Sequence, residues 1–173
     1  MSDEAQAPVA PAGMDEQRAL WHRLAHEKVA MLGTRDADGS ISGRPVEPVR
    51  VEAESRVWLF TAADGDIARD VARDARVHVA FVNPPHELYV SLNGEARVLR
   101  DPRKARELWS AAAGVWFPAG PDDPNLGLLR IEVHRGDYWD MKDARLVRFF
   151  KLAAAVATST RPEDVATHRR FTQ

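Results

Sequence analysis

The sequence predicts a mainly β protein with peripheral helices, of the α+β class, built on an antiparallel barrel of about six to seven strands. Extended segments follow one another along the chain, and several of their connections have the composition of hairpin turns. The length of 173 residues fits one domain and can close a small barrel around a useful core. Only about three or four helical segments lie between or after the strands, which disfavours a parallel sheet.

The composition excludes several classes of protein. Lys and Arg total 24 against 26 Asp and Glu, a net charge of −2, which argues against a dedicated nucleic-acid or membrane-surface binder. Cysteine is absent, so disulfides, thiol catalysis and zinc–thiolate sites are excluded. No apolar run approaches the ~20 residues that cross a bilayer, and the acidic, Pro/Ala-rich start lacks the basic region of a signal peptide. We expect a cytoplasmic protein with a disordered segment over 1–13 and a single domain over 14–173.

In the first part of the chain, a helix is predicted over 14–28 from the spacing of Leu20, Trp21, Leu24 and Ala25. A short apolar run follows and ends in Asp38-Gly39, which is a strong hairpin signal. The next segment, ISGRPVEPVRVEA, is extended, but Pro45 and Pro48 cannot donate to a sheet and confine it to an edge or a bulge. RVWLFTA then has the pattern of a buried strand.

In the second part, a short helix is predicted over 64–73, and RVHVAFV and LYVSLNGEARV alternate as strands, with Gly94 indicating a bend or bulge. Asp101, followed by proline, has the signature of a helix start, and Gly114 is a plausible stop for that helix. LGLLRIEVHRGDYWD and RLVRFF are predicted as the last strands, followed by a helix from about Pro162.

Motifs for metal binding and hydrolysis are missing. His22 and His26 have a spacing that could place two imidazoles on one metal, but they lie on a polar helix face and no third ligand is evident. The sequence has no nucleophile elbow, Walker A loop or dinucleotide-binding glycine motif. We therefore predict no metal site.

Two other features raise the question of a ligand. Arg44 lies in the proline-stiffened strand, where it is either a phosphate-binding side chain or a surface arginine beside a kink. Trp116 and Phe117 lie in a Pro/Gly-rich loop, and Trp139 lies near the end of a predicted strand. Such aromatics either wall a planar ligand, anchor a dimer or cap the ends of the barrel.

Taken in order, these segments resemble a known family. The landmarks are MLGTRDADGSISGRPV, VWLFTA, VHVAFVNPPHELYVSLNGEARVLRD, Leu108-Trp109, WFPAGPDDPNLGLLRI and DYWD. Over about Ala30 to Phe150 the chain resembles the general stress protein 26 branch of the pyridoxamine 5′-phosphate oxidase-like, FMN-binding split β-barrels. The resemblance implies a homodimer with two equivalent FMN sites in the subunit interface.

The resemblance also implies which residues contact the cofactor. The strand that runs beside the flavin falls on GRPV, so Arg44 is expected to meet the FMN phosphate. The full set of expected cofactor-binding residues is Arg44, Pro45, Val46, Glu47, Phe60, Thr61, Arg69, Trp116, Phe117 and Trp139.

One part of the family pattern is changed in this chain. Where the family has the serines and lysine that bind the phosphate, this sequence has Ala62, Gly65 and Ile67. Losing a charge-assisted hydrogen bond of this kind typically costs ~1.5–3 kcal/mol. Arg69 or Arg73 on the following helix is expected to substitute if that helix is shifted.

The resemblance favours a flavin-dependent oxidoreductase linked to general stress, with unknown substrate and unknown catalytic residues. The flavin would supply the hydride or electron chemistry. The alternative is a non-catalytic dimeric binding protein that has weakened or lost FMN binding, or that binds a related cofactor such as the deazaflavin F420. Neither reading implies a nucleic-acid or membrane partner.

Overall fold

The computed structural model describes residues 10–140 and 167–172. Its helices are α1 (Met14–Leu24), α2 (Asp66–Arg73) and α3 (Pro102–Leu108). Its strands are β1 (Ala10–Pro11), β2 (Ala30–Arg35), β3 (Ile41–Val46), β4 (Pro48–Glu52), β5 (Arg56–Ala62), β6 (Arg76–Asn83), β7 (Leu88–Leu99), β8 (Leu126–Asp140) and β9 (Thr167–Thr172). Within these ranges, no helix has both the length and the apolar character needed to cross a bilayer.

The strands form one curled sheet, in which β2 to β8 build a half-barrel that matches the split-barrel fold. Neighbouring strands in this half-barrel are antiparallel, which confirms the predicted fold class. The seven strands lie within the predicted range, and β9 and the short β1 extend the sheet beyond β8. Gly39, with a φ of +88°, makes the predicted turn between β2 and β3.

The two prolines divide one extended segment into two edge strands. Among the described strands, β3 pairs only with β2 and β4 only with β5, so within this part of the chain both lie at open edges of the sheet. The pairing of β4 also has an irregular register between Pro48 and Arg50. The predicted edge position and bulge are both confirmed. Their physical cause is that a proline nitrogen has no proton to donate to a neighbouring strand. The half-barrel is therefore open near Glu47, where the chain passes from one edge strand to the other.

β8 changes its partner halfway along its length. One side pairs with β7 from Leu128 to Asp140, and the other side pairs with β5 over Leu126–Glu132 and with β9 over Arg135–Asp140. The register with β7 shifts between Asn93 and Gly94, at the level of this change. A Cβ at Gly94 would lie 2.1 Å from the Glu132 carbonyl oxygen. The bulge predicted at Gly94 is thus confirmed, and the missing side chain lets the two backbones approach.

The apolar residues form two cores. The main core fills the half-barrel and includes Leu32, Val57, Phe81 and Leu129, which are essentially inaccessible to solvent. A second core joins α3 and the following loop to the outer face of β5 and β8. Its fully or nearly buried members are Trp58, Ala105, Leu108, Phe117, Leu126 and Leu128.

Several boundaries differ from the sequence predictions. The third helix ends at Leu108, well before Gly114, because Trp109 adopts an extended conformation and the chain continues into a 3₁₀ turn over Ala113–Val115. The helix predicted from Pro162 is wrong for Thr167–Thr172, which pair with β8 as a strand because Phe171 packs into the core. The folded region begins before residue 14, since Ala10 and Pro11 pair with β9. The predicted strand RLVRFF and residues 1–9 lie outside the described residues.

Candidate functional site

An open cavity of about 680 Å³ lies where the half-barrel is open. Its walls come from the loop before β2, the junction of β3 and β4, the end of β5, the start of α2 and the loops after α3. Its volume falls within the range of about 300–1,000 Å³ that is typical of small-molecule sites. It is lined by Lys28, Val29, Pro45, Val46, Glu47, Val49, Phe60, Thr61, Ala62, Ile67, Ser110, Ala112, Ala113, Trp116, Phe117, Asp123 and Asn125.

Aromatic rings form one part of the cavity wall. The ring centroid of Phe60 lies 5.7 Å from that of Trp109 and 6.4 Å from that of Phe117. Separations of this size are typical of packed aromatic pairs, which hold each other in fixed orientations. Phe60 and Phe117 therefore present a rigid apolar surface to the cavity, and Thr61 adds a buried residue with a hydroxyl group beside it.

The two aromatics of the Pro/Gly-rich loop have different roles. Phe117 is 8% exposed and belongs to the second core, whereas Trp116 is 78% exposed. Both residues directly follow the 3₁₀ turn, and their backbone N–H groups both donate to the Ala113 carbonyl, at 3.0 Å each. Phe117 is thus a core residue that also lines the cavity. Trp116 lines the cavity without being part of a core.

Arg44 does not line the cavity. Its guanidinium donates to Asp70 Oδ2 at 3.1 Å and to Thr34 Oγ1 at 3.2 Å, while Thr34 donates to the same carboxylate oxygen at 2.7 Å. Arg73 approaches the other carboxylate oxygen at 3.4 Å. This network ties β2, β3 and α2 together on the side of the half-barrel that carries Ile67.

The charge of Asp70 is stabilised by this network. Burial opposes its ionisation most strongly, but hydrogen bonds from Thr34 and Arg44 outweigh that cost and hold the pKa of Asp70 below its ordinary value. Asp70 is therefore an ionised, buried partner for Arg44. This pairing occupies the arginine that the resemblance assigns to the FMN phosphate.

Two more expected residues lie away from the cavity. Arg69 is exposed and bonds to Asp66 and to the Asp64 carbonyl, on the first turn of α2. Trp139 pairs in register with Tyr89 and His168 near the C-terminal end of β8. Neither residue is among those that line the cavity.

The structure brings together seven of the ten expected residues: Pro45, Val46, Glu47, Phe60, Thr61, Trp116 and Phe117. Sequence reasoning missed Lys28 and Val29, although the hairpin offered a signal. Ala30 pairs with Val46, so the residues before Ala30 necessarily continue beside Glu47. Asn125 was also missed. It bonds through its backbone carbonyl to Ala63 N at 2.8 Å and thus joins the two loops that border the cavity.

The described residues offer no metal site in this region or elsewhere. No group of three or more His, Asp or Glu side chains is arranged to hold an ion among them. The rings of His22, in the last turn of α1, and His26, just beyond the helix, do lie together, with centroids 5.1 Å apart, and both residues are exposed.

Comparisons with known proteins agree with the split-barrel fold. The family model described as "Pyridoxamine 5′-phosphate oxidase like" matches residues 15–163. A crystal structure of a protein assigned as general stress protein 26, from Jannaschia sp. CCS1, is 26% identical with a TM-score of 0.72, covering 93% of this chain and 100% of that one. The general stress FMN/FAD binding protein from Xanthomonas citri is 28% identical with a TM-score of 0.66, covering 76% and 93%.

A curated relative is more distant. Protein bli-3 from Neurospora crassa is 23% identical over 125 residues, which are 66% of this chain and 60% of that protein. The chain therefore spans less than two thirds of the length of this relative. Because the family model covers most of the sequence, the chain belongs to the pyridoxamine 5′-phosphate oxidase-like family. The resemblance inferred from the sequence motifs is confirmed.

Proposed function

We propose that this protein binds FMN in the open cavity and acts as a homodimeric, flavin-dependent oxidoreductase of the cytoplasm, linked to general stress. The observation that carries the proposal is the cavity itself: seven residues expected beside a flavin converge on one space of ligand size. The similarity to a general stress protein that binds FMN or FAD supports the same reading. A bound flavin would supply hydride or electron transfer.

The residues of the cavity fit the ring system of a flavin. Phe60, Phe117 and Trp116 offer aromatic surface for a planar heterocycle, and Val46 and Ile67 add apolar contact. Thr61 and Asn125 provide polar groups at the wall. This combination of apolar surface with a few polar groups is typical of cofactor sites.

The proposed dimer is supported by an exposed face of the sheet. Met31, Ile41 and Val82 on neighbouring strands are 44%, 73% and 59% exposed. Gly33 and Gly43 pair across the same two strands and leave the surface low, so another backbone can approach. A partner packed on this face would cover these side chains. Since Trp139 does not line the cavity of its own chain, its predicted contact with a flavin would be made across the subunit interface.

The flavin proposal is tested on the purified protein. We expect flavin absorption bands after purification, or saturable quenching of FMN fluorescence when protein is titrated up to about tens of micromolar. Light scattering should give the mass of a dimer. No flavin bands and no saturable quenching would contradict the flavin proposal, and a monomer would contradict the interface site.

The charges around the cavity favour a second candidate, a non-catalytic dimeric binding protein with weak FMN affinity. Ile67 stands where a lysine was expected, and Glu47 and Asp123 place carboxylates on the cavity wall. Anaerobic addition of a reduced nicotinamide nucleotide to the FMN-loaded protein separates the two candidates. Bleaching of the flavin band supports an oxidoreductase, whereas a bound flavin that stays oxidised supports the binding protein.

A further inference from the structure

Few charged side chains line the cavity, and the anionic ones outnumber the cationic ones. Lys28 is the one cationic side chain among the described lining residues, and Glu47 and Asp123 are the two anionic ones. Asp123 Oδ1 accepts a hydrogen bond from the backbone N–H of Asn125, at 2.9 Å. Lys28 forms no hydrogen bond or ion pair with any residue in the described ranges. Its ammonium is thus available to a ligand.

The other cations near the cavity are already paired. Arg44 is held by the buried carboxylate of Asp70, and its side chain is only 25% exposed. Arg69 is held by Asp66 and by the Asp64 carbonyl. Turning either arginine into the cavity would break these bonds, and for Arg44 it would leave a buried carboxylate short of a partner.

The start of α2 offers no replacement. Ile67 lines the cavity and packs against the main core, so an apolar side chain occupies this part of the wall. A side chain at Gly65 would crowd Ala62, because a Cβ there would lie 3.1 Å from both the Cβ and the carbonyl oxygen of Ala62. The backbone at this turn is therefore shaped for glycine, without the side chain of a phosphate-binding serine.

We infer that Lys28 holds the anionic end of the ligand and distinguishes FMN from its unphosphorylated form, riboflavin. This inference rests on the proposed flavin function and specifies its anchor. Because Lys28 precedes β2, beside the end of β3, the phosphate lies toward the wall formed by Val29 and Val46. Lys28 is exposed, so its attraction for a phosphate is modest and is screened by salt.

The test compares FMN with riboflavin. Dissociation constants for both are measured by fluorescence quenching on the parent protein, on Lys28→Ala and on a control, Arg103→Ala. Arg103 is exposed on α3 and does not line the cavity. Its replacement by alanine removes one positive charge, as Lys28→Ala does, but away from the cavity. We expect Lys28→Ala to weaken FMN binding about 3- to 10-fold and riboflavin binding less than about 2-fold. The control should change neither constant, and about 0.5 M sodium chloride should remove most of the Lys28 effect.

A second variant removes the charge of Lys28 and places a lysine at position 67 instead. In Lys28→Ala/Ile67→Lys, the new ammonium lies on α2 and not before β2, so it should not restore the preference for FMN over riboflavin, and a restored preference would contradict the placement of the phosphate beside Lys28. Unchanged FMN affinity in Lys28→Ala, or equal weakening of both flavins, would overturn the inference while leaving the flavin proposal intact. A parent protein that binds neither flavin would overturn the proposed function, and the inference with it.

Discussion

The two halves of β8 pack differently: one half is closed by a buried aromatic side chain, and the other pairs with a strand that borders the cavity. Beyond Glu132, the strand pairs with β9, where Phe171 is 3% exposed and packs edge-on to Trp21 at 5.9 Å. The packing leaves no space, because a Cβ at Gly136 would lie 2.3 Å from the Phe171 ring. Before Val133, the strand pairs with β5, whose far end borders the open cavity.

This contrast indicates at which positions a substitution can alter ligand binding without destabilising the fold. The filled half closes the core with interlocking rings, and a change of one methyl group is felt there. The cavity half contains Trp116, which is 78% exposed, and charged side chains that contact solvent. Substitutions of exposed residues that line the cavity are therefore expected to change affinity, and substitutions at the junction or of buried residues in either half of β8 are expected to change stability.

The largest effect is expected at the junction of the two halves. Gly94→Ala would place a methyl group 2.1 Å from the Glu132 carbonyl oxygen, which belongs to the backbone and cannot rotate away. We expect a loss of about 3 kcal/mol or more in the free energy of unfolding, measured by urea denaturation.

Gly114→Ala is the matched control for that prediction. Its Cβ would meet only the Trp109 side chain, at 3.9 Å, which is an ordinary van der Waals contact. The control should change the free energy of unfolding by less than about 0.5 kcal/mol. Equal stability of the Gly94→Ala and parent proteins would mean that β8 does not require a close approach where it changes partners.

A smaller effect is expected in the network that supports the cavity wall. Asp70→Asn removes the negative charge between Arg44 and Arg73 and leaves Arg44 without its ion pair. We expect a loss of about 2 kcal/mol in the free energy of unfolding at neutral pH. Asp66→Asn, in an exposed pair with Arg69, should cost less than about 0.5 kcal/mol.

The pH dependence of the Asp70 effect has a defined sign. Because the pKa of Asp70 is lowered in the folded protein, its contribution is fully present above the ordinary carboxyl pKa of about 4. The contribution is lost as the pH falls below that value toward the folded pKa. The difference between parent and Asp70→Asn should therefore be constant near neutral pH and shrink in acid. A difference that grows in acid would contradict the assignment.

Much of the fold was predictable because local patterns agree with the tertiary structure. The alternation in β7, the Asp38-Gly39 turn and the prolines of the edge strands each indicate what the backbone does there. The last strand was not predictable in this way. Thr167–Thr172 becomes a strand because β8 offers an open edge and Trp21 a surface for Phe171, and both lie far away in sequence.

The candidate site was predictable where its residues flank strands that meet, such as Pro45–Glu47 and Phe60–Thr61. Arg44 was different, because its position depends on Asp70, a residue 26 positions away. The sequence of α2 gives no sign that this carboxylate is buried. For Trp139, the order of the motifs suggested proximity to the flavin, but the residue lies in the part of β8 that pairs with β9 and does not line the cavity of its own chain.

The smallest effect on stability is expected at Trp116, and it tests the contrast most directly. The side chain is 78% exposed, so Trp116→Ala removes little buried surface and should change the free energy of unfolding by less than about 0.5 kcal/mol. The same variant removes an aromatic wall of the cavity and should weaken FMN binding about 5-fold.

Val115→Ala serves as the control for Trp116→Ala, because Val115 is 77% exposed in the same loop and does not line the cavity. It should leave both FMN affinity and stability unchanged. If Trp116→Ala destabilised the protein as much as Gly94→Ala, the loop would be part of the folding core and the division between the two halves would fail. If it altered neither property, the ligand would contact the Phe60 and Phe117 side of the cavity without using this loop tryptophan.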